Sequence, residues 1–182
     1  MSSNAYDLLE AGKYDEAAPR FAELAAAGDG SANLHLGWMA HKGMGCQPDL
    51  AKAEQFYLRA YGQGVPEAGY YLGTLYRSMN RARDAVRYLE EAASKGNPSA
   101  AYWAYVMYHD GEGVPRDEQK ATQLLQRAAD LGHIFARRDL AKRMIRGKLG
   151  IGRIPSGFYN LIANVFQSAR LASSNTEDMR LR

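Results

Sequence analysis

The sequence predicts an all-α fold, a right-handed α-α superhelix of four to five helix pairs with a C-terminal capping helix. Three observations predict it. Between Ala101 and Gly132, small and apolar residues recur at three- and four-residue steps on both sides of Gly111-Glu112-Gly113, the period of helices with one buried face. Such a hairpin cannot bury its own apolar side, so it needs copies stacked beside it. The copies are found by subtraction. Gly28, Gly64, Gly96 and Gly132 lie 36, 32 and 36 residues apart; Ala17, Ala53, Ala85 and Ala121 keep the same spacings, as do Ala32, Ala68, Ala100 and Ala136. The one short interval has a local origin. Two repeats carry a glycine loop, Gly43-Met44-Gly45 and Gly111-Glu112-Gly113, while the middle repeat runs from Tyr76 through Asn80 into Arg81 without those four residues.

The elements follow in order. Residues 5–11 form a short first helix turned by Gly12. The second helix covers about 15–27, with Pro19 early in it, where a missing N–H goes unused. This pair caps the N-terminal end. Further pairs cover about 31–42 and 49–62, 66–78 and 81–95, and 98–109 and 117–131. Pro66 and Pro98 fall in the first turns of leading helices; Pro48 and Pro115 lie in loops ahead of trailing ones. Asp117 can accept from the unpaired amides of a helix start, and Gly132 can end that helix in a left-handed turn. The repeat units are therefore about 5–29, 30–65, 66–97 and 98–133, with a partial unit at 134–147. A glycine- and proline-rich loop follows at 148–157. Phe158, Leu161, Ile162, Val165, Ala169 and Ala172 then share one helical stripe over 158–172, behind the candidate cap Ser156. Residues 173–182 read as a polar, frayed tail.

These landmarks reach a family. Ala32-x3-Leu36-Gly37, Gly43-x-Gly45, Asp49-x2-Lys52-Ala53 and Ala60-x3-Gly64 resemble the Sel1-like repeat, a relative of the tetratricopeptide repeat. Gly111-x-Gly113-Val114, Asp117-x2-Lys120-Ala121 and Ala128-Ala129-x2-Gly132 repeat the pattern. The first and middle copies look more like plain tetratricopeptide units. The resemblance covers roughly residues 5–147 and departs at Ala104-Tyr105, where the family has Leu-Gly. It implies a Sel1/tetratricopeptide-like solenoid that scaffolds protein partners, with no cofactor. A fold of this kind specifies architecture more sharply than it specifies a partner.

Composition narrows the compartment and the class. One cysteine, Cys46, cannot form an internal disulfide, which points to a reducing, cytoplasmic setting and away from the cysteine-rich secreted branch of Sel1-like proteins. The N-terminus lacks the basic and apolar regions of a signal peptide, and no run of about 18 apolar residues suggests a membrane span. Residues 1–132 hold 13 Lys+Arg against 17 Asp+Glu; residues 133–182 hold 10 against 3. A mildly acidic array thus ends in a basic segment.

No enzyme chemistry is legible. The glycine loops lack the Lys-Ser/Thr and preceding strand of a phosphate loop. Glu90 and Glu91 diverge on a helix, and no nucleophile-base constellation can be argued. Equivalent positions two repeats apart hold His41 and His109, about two helix-packing steps of 8–10 Å each, too far to share one metal. By the resemblance, leading helices line the concave face, which puts Tyr6, Leu9, Leu34, Trp38, His41, Tyr70, Thr74, Arg77, Tyr102, Val106, His109, Arg138 and Lys142 into a groove. Tyr, Trp and Arg dominate interface energetics. The groove therefore reads as a surface for a protein or peptide with apolar anchors and acidic groups; packing of Trp38, Tyr70 and Tyr102 against neighbouring helices is the alternative. A second reading is a peripheral membrane adaptor that docks through Arg137, Arg138, Lys142, Arg143, Arg146, Lys148 and Arg153 beside the helix at 158–172. The polar side of that helix holds Asn160, Asn164, Gln167 and Ser168, which favours a capping role. Nucleic acid is disfavoured by the thin basic footprint.

Overall fold

The computed structural model describes residues 4–145. The expected loop, capping helix and tail at 148–182 lie outside the described residues. Two compact units divide the chain, Met1–Arg137 and Arg138–Arg182. Among the described residues the structure is helical throughout, with no strand: α1 Ala5–Glu10, α2 Tyr14–Ala26, α3 Gly30–Lys42, α4 Leu50–Gly62, α5 Ala68–Ser78, α6 Ala82–Ser94, α7 Pro98–Asp110, α8 Glu118–Asp130 and α9 Ile134–Ile145. In the first unit each leading helix packs on its trailing helix, and each trailing helix packs on the next leading one.

The landmark residues explain that stacking. All eight register alanines have no exposed surface. A methyl group at each helix contact lets backbones approach closely, and a larger side chain there would have to push the helices apart. The register glycines do a different job. Gly28, Gly64, Gly96 and Gly132 take φ of 96, 79, 93 and 94°, the left-handed conformation that ends a trailing helix.

Helix starts are fixed by acidic and amide caps. The Asp29 carboxylate accepts from Ser31 N at 2.8 Å, Asp49 from Lys52 N at 2.9 Å, Asp117 from Lys120 N at 2.9 Å, and Asn97 Oδ1 from Ala100 N at 2.8 Å. Pro98 occupies the first turn of α7. Two proline expectations need correction. Pro66 precedes α5 rather than starting it, because the helix begins at Ala68. Pro19 lies inside α2, as its sixth residue counting from Tyr14, so its missing N–H deprives the Asp15 carbonyl of its intrahelical partner.

The short middle repeat keeps the connection that the glycine loops make. In the long repeats Asp49 N donates to Ala40 O at 2.8 Å and Asp117 N to Tyr108 O at 3.0 Å. In the middle repeat the equivalent donor, Arg81 N, reaches the equivalent acceptor, Tyr76 O, at 2.8 Å. Asn80 makes the tighter turn possible by adopting φ 58°, a region Asn tolerates better than most residues.

Candidate functional site

The leading helices α3, α5 and α7 carry the expected site in rows of constant register. Leu34, Tyr70 and Tyr102 form one row, Trp38, Thr74 and Val106 a second, and His41, Arg77 and His109 a third; Tyr6 and Leu9 come from α1. All of these side chains are half-buried. Each therefore has a base held by packing and a remainder open to contact.

Their local environments differ. Tyr6, Leu9 and Trp38 pack against the core cluster built from Ala5, Leu8, Phe21, Leu36 and Met39. Leu9, Leu34 and Trp38 also converge with His35 and Tyr71 on a cavity of about 180 Å³. The Tyr70 ring meets Tyr71 edge-on at 5.3 Å, and Thr74 Oγ1 donates to the Tyr71 carbonyl at 2.9 Å. Arg77 Nε donates to Glu112 at 2.7 Å, and its guanidinium lies 4.3 Å from the Trp103 ring centroid. Its charge is thus held by the glycine loop and leading helix of the next repeat. Tyr102 stacks on His133 at 4.4 Å; His109 stacks on Tyr105 at 5.5 Å and lies 2.9 Å from Glu118. His41 stands edge-on to Tyr57 at 6.2 Å. Among the described residues, no group of His, Cys, Asp or Glu is arranged to hold a metal ion. Arg138 and Lys142 belong to the second unit, where they lie 3.2 and 3.7 Å from Asp139.

Three residues in contact with the site were missed by sequence reasoning, two of them lining the cavity and Trp103 lying against Arg77. His35, Tyr71 and Trp103 each follow a predicted residue by one position, and they repeat at 36 and 32 residues like the rest. The signal that found Leu34, Tyr70 and Tyr102 was therefore present one residue on. A helical neighbour is rotated by 100°, which alone does not say whether it joins the same surface.

Electrostatically the cavity is quiet. Burial pushes the His35 imidazole below its ordinary pKa, with Asp29 partly opposing, and burial together with Lys42 lowers that of His41. In both cases the shift favours the uncharged ring. A neutral, aromatic-walled depression suits an apolar side chain better than a charge.

Close helix contacts hold these rows in place. A Cβ on Gly37 would fall 2.5 Å from the Tyr57 ring, and one on Gly73 would fall 2.5 Å from Leu89. The glycine of each Leu-Gly pair lets a trailing-helix side chain rest on leading-helix backbone. Gly45 and Gly113 act between repeats: a Cβ would meet Asp15 Oδ1 at 2.7 Å in one case and Ala82 Cβ at 2.2 Å in the other. The glycine loops are spacers seated on the preceding trailing helix.

An array of paired helices in one register, with half-buried aromatic rows on its leading helices, defines an α-helical repeat protein. The Sel1 repeat family matches residues 66–97 and 98–133, and the tetratricopeptide repeat family matches residues 3–68. The chain is a Sel1-like repeat protein of the tetratricopeptide superfamily. It is similar to a Sel1 repeat protein from Oxalobacter formigenes, with 27% identity, a TM-score of 0.69, and coverage of 79% of this chain and 60% of that one. It is also similar to a protective antigen present in uropathogenic Escherichia coli strains that displays an SLR fold, with 29% identity, a TM-score of 0.65, and coverage of 71% and 29%. The chain thus spans less than two thirds of either protein. Repeats of this class generally mediate contacts between proteins and typically act without catalysis.

Proposed function

We propose that this protein is a non-enzymatic scaffold or adaptor that grips a segment of a partner protein along its leading-helix face. The observation that carries this reading is the convergence of Leu9, Leu34, His35, Trp38 and Tyr71 on one neutral cavity of about 180 Å³, continued by the half-buried rows on α5 and α7. The cavity would take an apolar anchor. Tyr70, Tyr102 and Val106 would supply the flanking contact area. The partner's acidic character is inferred from charge, since residues 133–182 carry 10 basic against 3 acidic residues. A cytoplasmic, reducing setting goes with this reading and is supported by the single exposed Cys46. Among the described residues, no helix is long and apolar enough to cross a membrane.

Affinity capture from native lysate tests the proposal. Trp38→Ala and Tyr102→Ala should each reduce capture of the principal partner by about tenfold or more, as expected for aromatic anchors, with unchanged helical circular dichroism. Equal capture by wild type and both folded variants would overturn it.

A further inference from the structure

A second cleft lies between the trailing helices, away from the leading-helix rows. Ala22, Ala25 and Ala26 of α2, Asn33 and Leu36 of α3, and Phe56, Arg59 and Gln63 on the α4 side line a concavity of about 380 Å³.

The other gaps between trailing helices are filled. Between α6 and α8, Arg127 spans the gap: its Nε donates to Ala93 O and an Nη to Ser94 O, both at 2.8 Å. Between α4 and α6, the rings of Tyr61 and Tyr88 meet edge-on at 5.3 Å. Arg59 occupies the position of Arg127, 68 residues earlier, and its counterpart acceptors would be the carbonyls of Ala25 and Ala26. It does not bridge to them. Its guanidinium lies 5.7 Å from the Phe56 ring centroid, and it has no carboxylate partner among the described residues.

An independent feature marks the cleft as a site. Asn33 is only 2% exposed. Its Nδ2 donates to Gln63 Oε1 at 3.0 Å, but its Oδ1 is buried with no hydrogen-bond partner. Gln63 is fixed in turn, since its Nε2 donates to Gly28 O at 3.3 Å. Buried acceptors are nearly always paired in native proteins, and an orphan is costly.

We infer that this cleft binds the carboxy-terminal residue of a peptide with an apolar side chain. One such residue offers everything the cleft lacks. Its side chain fills the alanine- and phenylalanine-lined volume, its backbone N–H supplies a donor for Asn33 Oδ1, and its carboxylate pairs with the Arg59 guanidinium. Arg forks match carboxylates bidentately.

The test uses the whole chain and two probes, acetyl-Gly-Leu and acetyl-Gly-Phe with free carboxylates, followed by ¹H–¹⁵N shift mapping. Shifts should centre on α2, the start of α3 and the α4 side of the cleft. Replacing the carboxylate by a carboxamide, or making Arg59→Gln, should each weaken binding by about tenfold, as loss of a charge-assisted pair implies. Methylating the terminal amide nitrogen of the peptide should also weaken it. Ala26→Leu, an exposed substitution that fills the cleft, should abolish binding. Arg59 and Ala26 are both exposed, so these variants should fold. The inference is overturned by shifts confined to the leading helices, by no shifts at about ten millimolar probe, a weak-binding limit, or by equal binding of acid and carboxamide. Decanoate binding as tightly as the peptides would also overturn it, because it carries a carboxylate and an apolar chain but no amide donor.

Discussion

The two long repeats, α3–α4 and α7–α8, lie 68 residues apart in one register and solve the same packing problem in opposite ways. In the first, Leu36-Gly37 on the leading helix faces a fully buried Tyr57 on the trailing one. In the second, Ala104-Tyr105 stands where Leu-Gly stood, and the trailing partner is the smaller Leu125, also fully buried. The bulk has moved from one helix to the other. Tyr105 then packs its ring on His109 and Tyr102 at 5.5 and 5.6 Å. Close packing constrains the total volume at a helix contact more than it constrains which side supplies it. The same comparison separates Arg59 from Arg127: one residue type at one register position leaves a gap open in the first case and closes it in the second.

Swapping the solutions gives the largest expected effect. Gly37→Ala drives a methyl into the Tyr57 ring and should destabilise the array by about 1–3 kcal/mol, seen as a lower urea midpoint. Gly37→Ala with Tyr57→Leu, which imitates the volume order of the second repeat, should recover much of that loss. No recovery would show that the two repeats are not interchangeable in volume.

The two arginines should separate next. Arg127→Ala removes two hydrogen bonds to main-chain carbonyls and should cost about 1 kcal/mol. Arg59→Ala should stay within about 0.5 kcal/mol, as for an exposed substitution. Equal losses by chemical denaturation would mean that Arg59 bridges its gap in solution as Arg127 does.

The smallest effect is expected from acid. His35 and His41, both on α3, have folded pKa values depressed by burial. The unfolded chain then binds more protons than the folded one as pH falls below the ordinary histidine value near 6.5. Stability present at pH 7 should be lost on acidification through that value, and the loss should level off once the folded state also protonates. Thermal unfolding between pH 7.5 and 5 measures it. Replacing both residues by Gln should flatten that part of the profile.

Much of the array was legible because stacking imposes arithmetic. Register alanines must be small at every helix contact, register glycines must adopt positive φ at every trailing-helix end, and both constraints recur at fixed spacing. The candidate site was half legible for the same reason. Leu34, Trp38 and Leu9 do converge, but their companions His35 and Tyr71 needed side-chain directions that a periodicity of 3.6 does not resolve. Arg77 was legible as a position and not as a state: that it pairs with Glu112 follows from the seating of the next repeat's loop, 35 residues away.

By itself the sequence determined the helix pairs, their register, the four-residue excision in the middle repeat, the Asp117 cap and the helix end at Gly132. These depend on local backbone preference and on a burial pattern that every repeat must satisfy. Only the tertiary structure decided which arginine closes a gap, where Asn33 is left without a partner for its oxygen, and which rings share a cavity. Those outcomes depend on distances between residues about 30 or more positions apart, set by how the helices finally pack rather than by any one helix's own preferences.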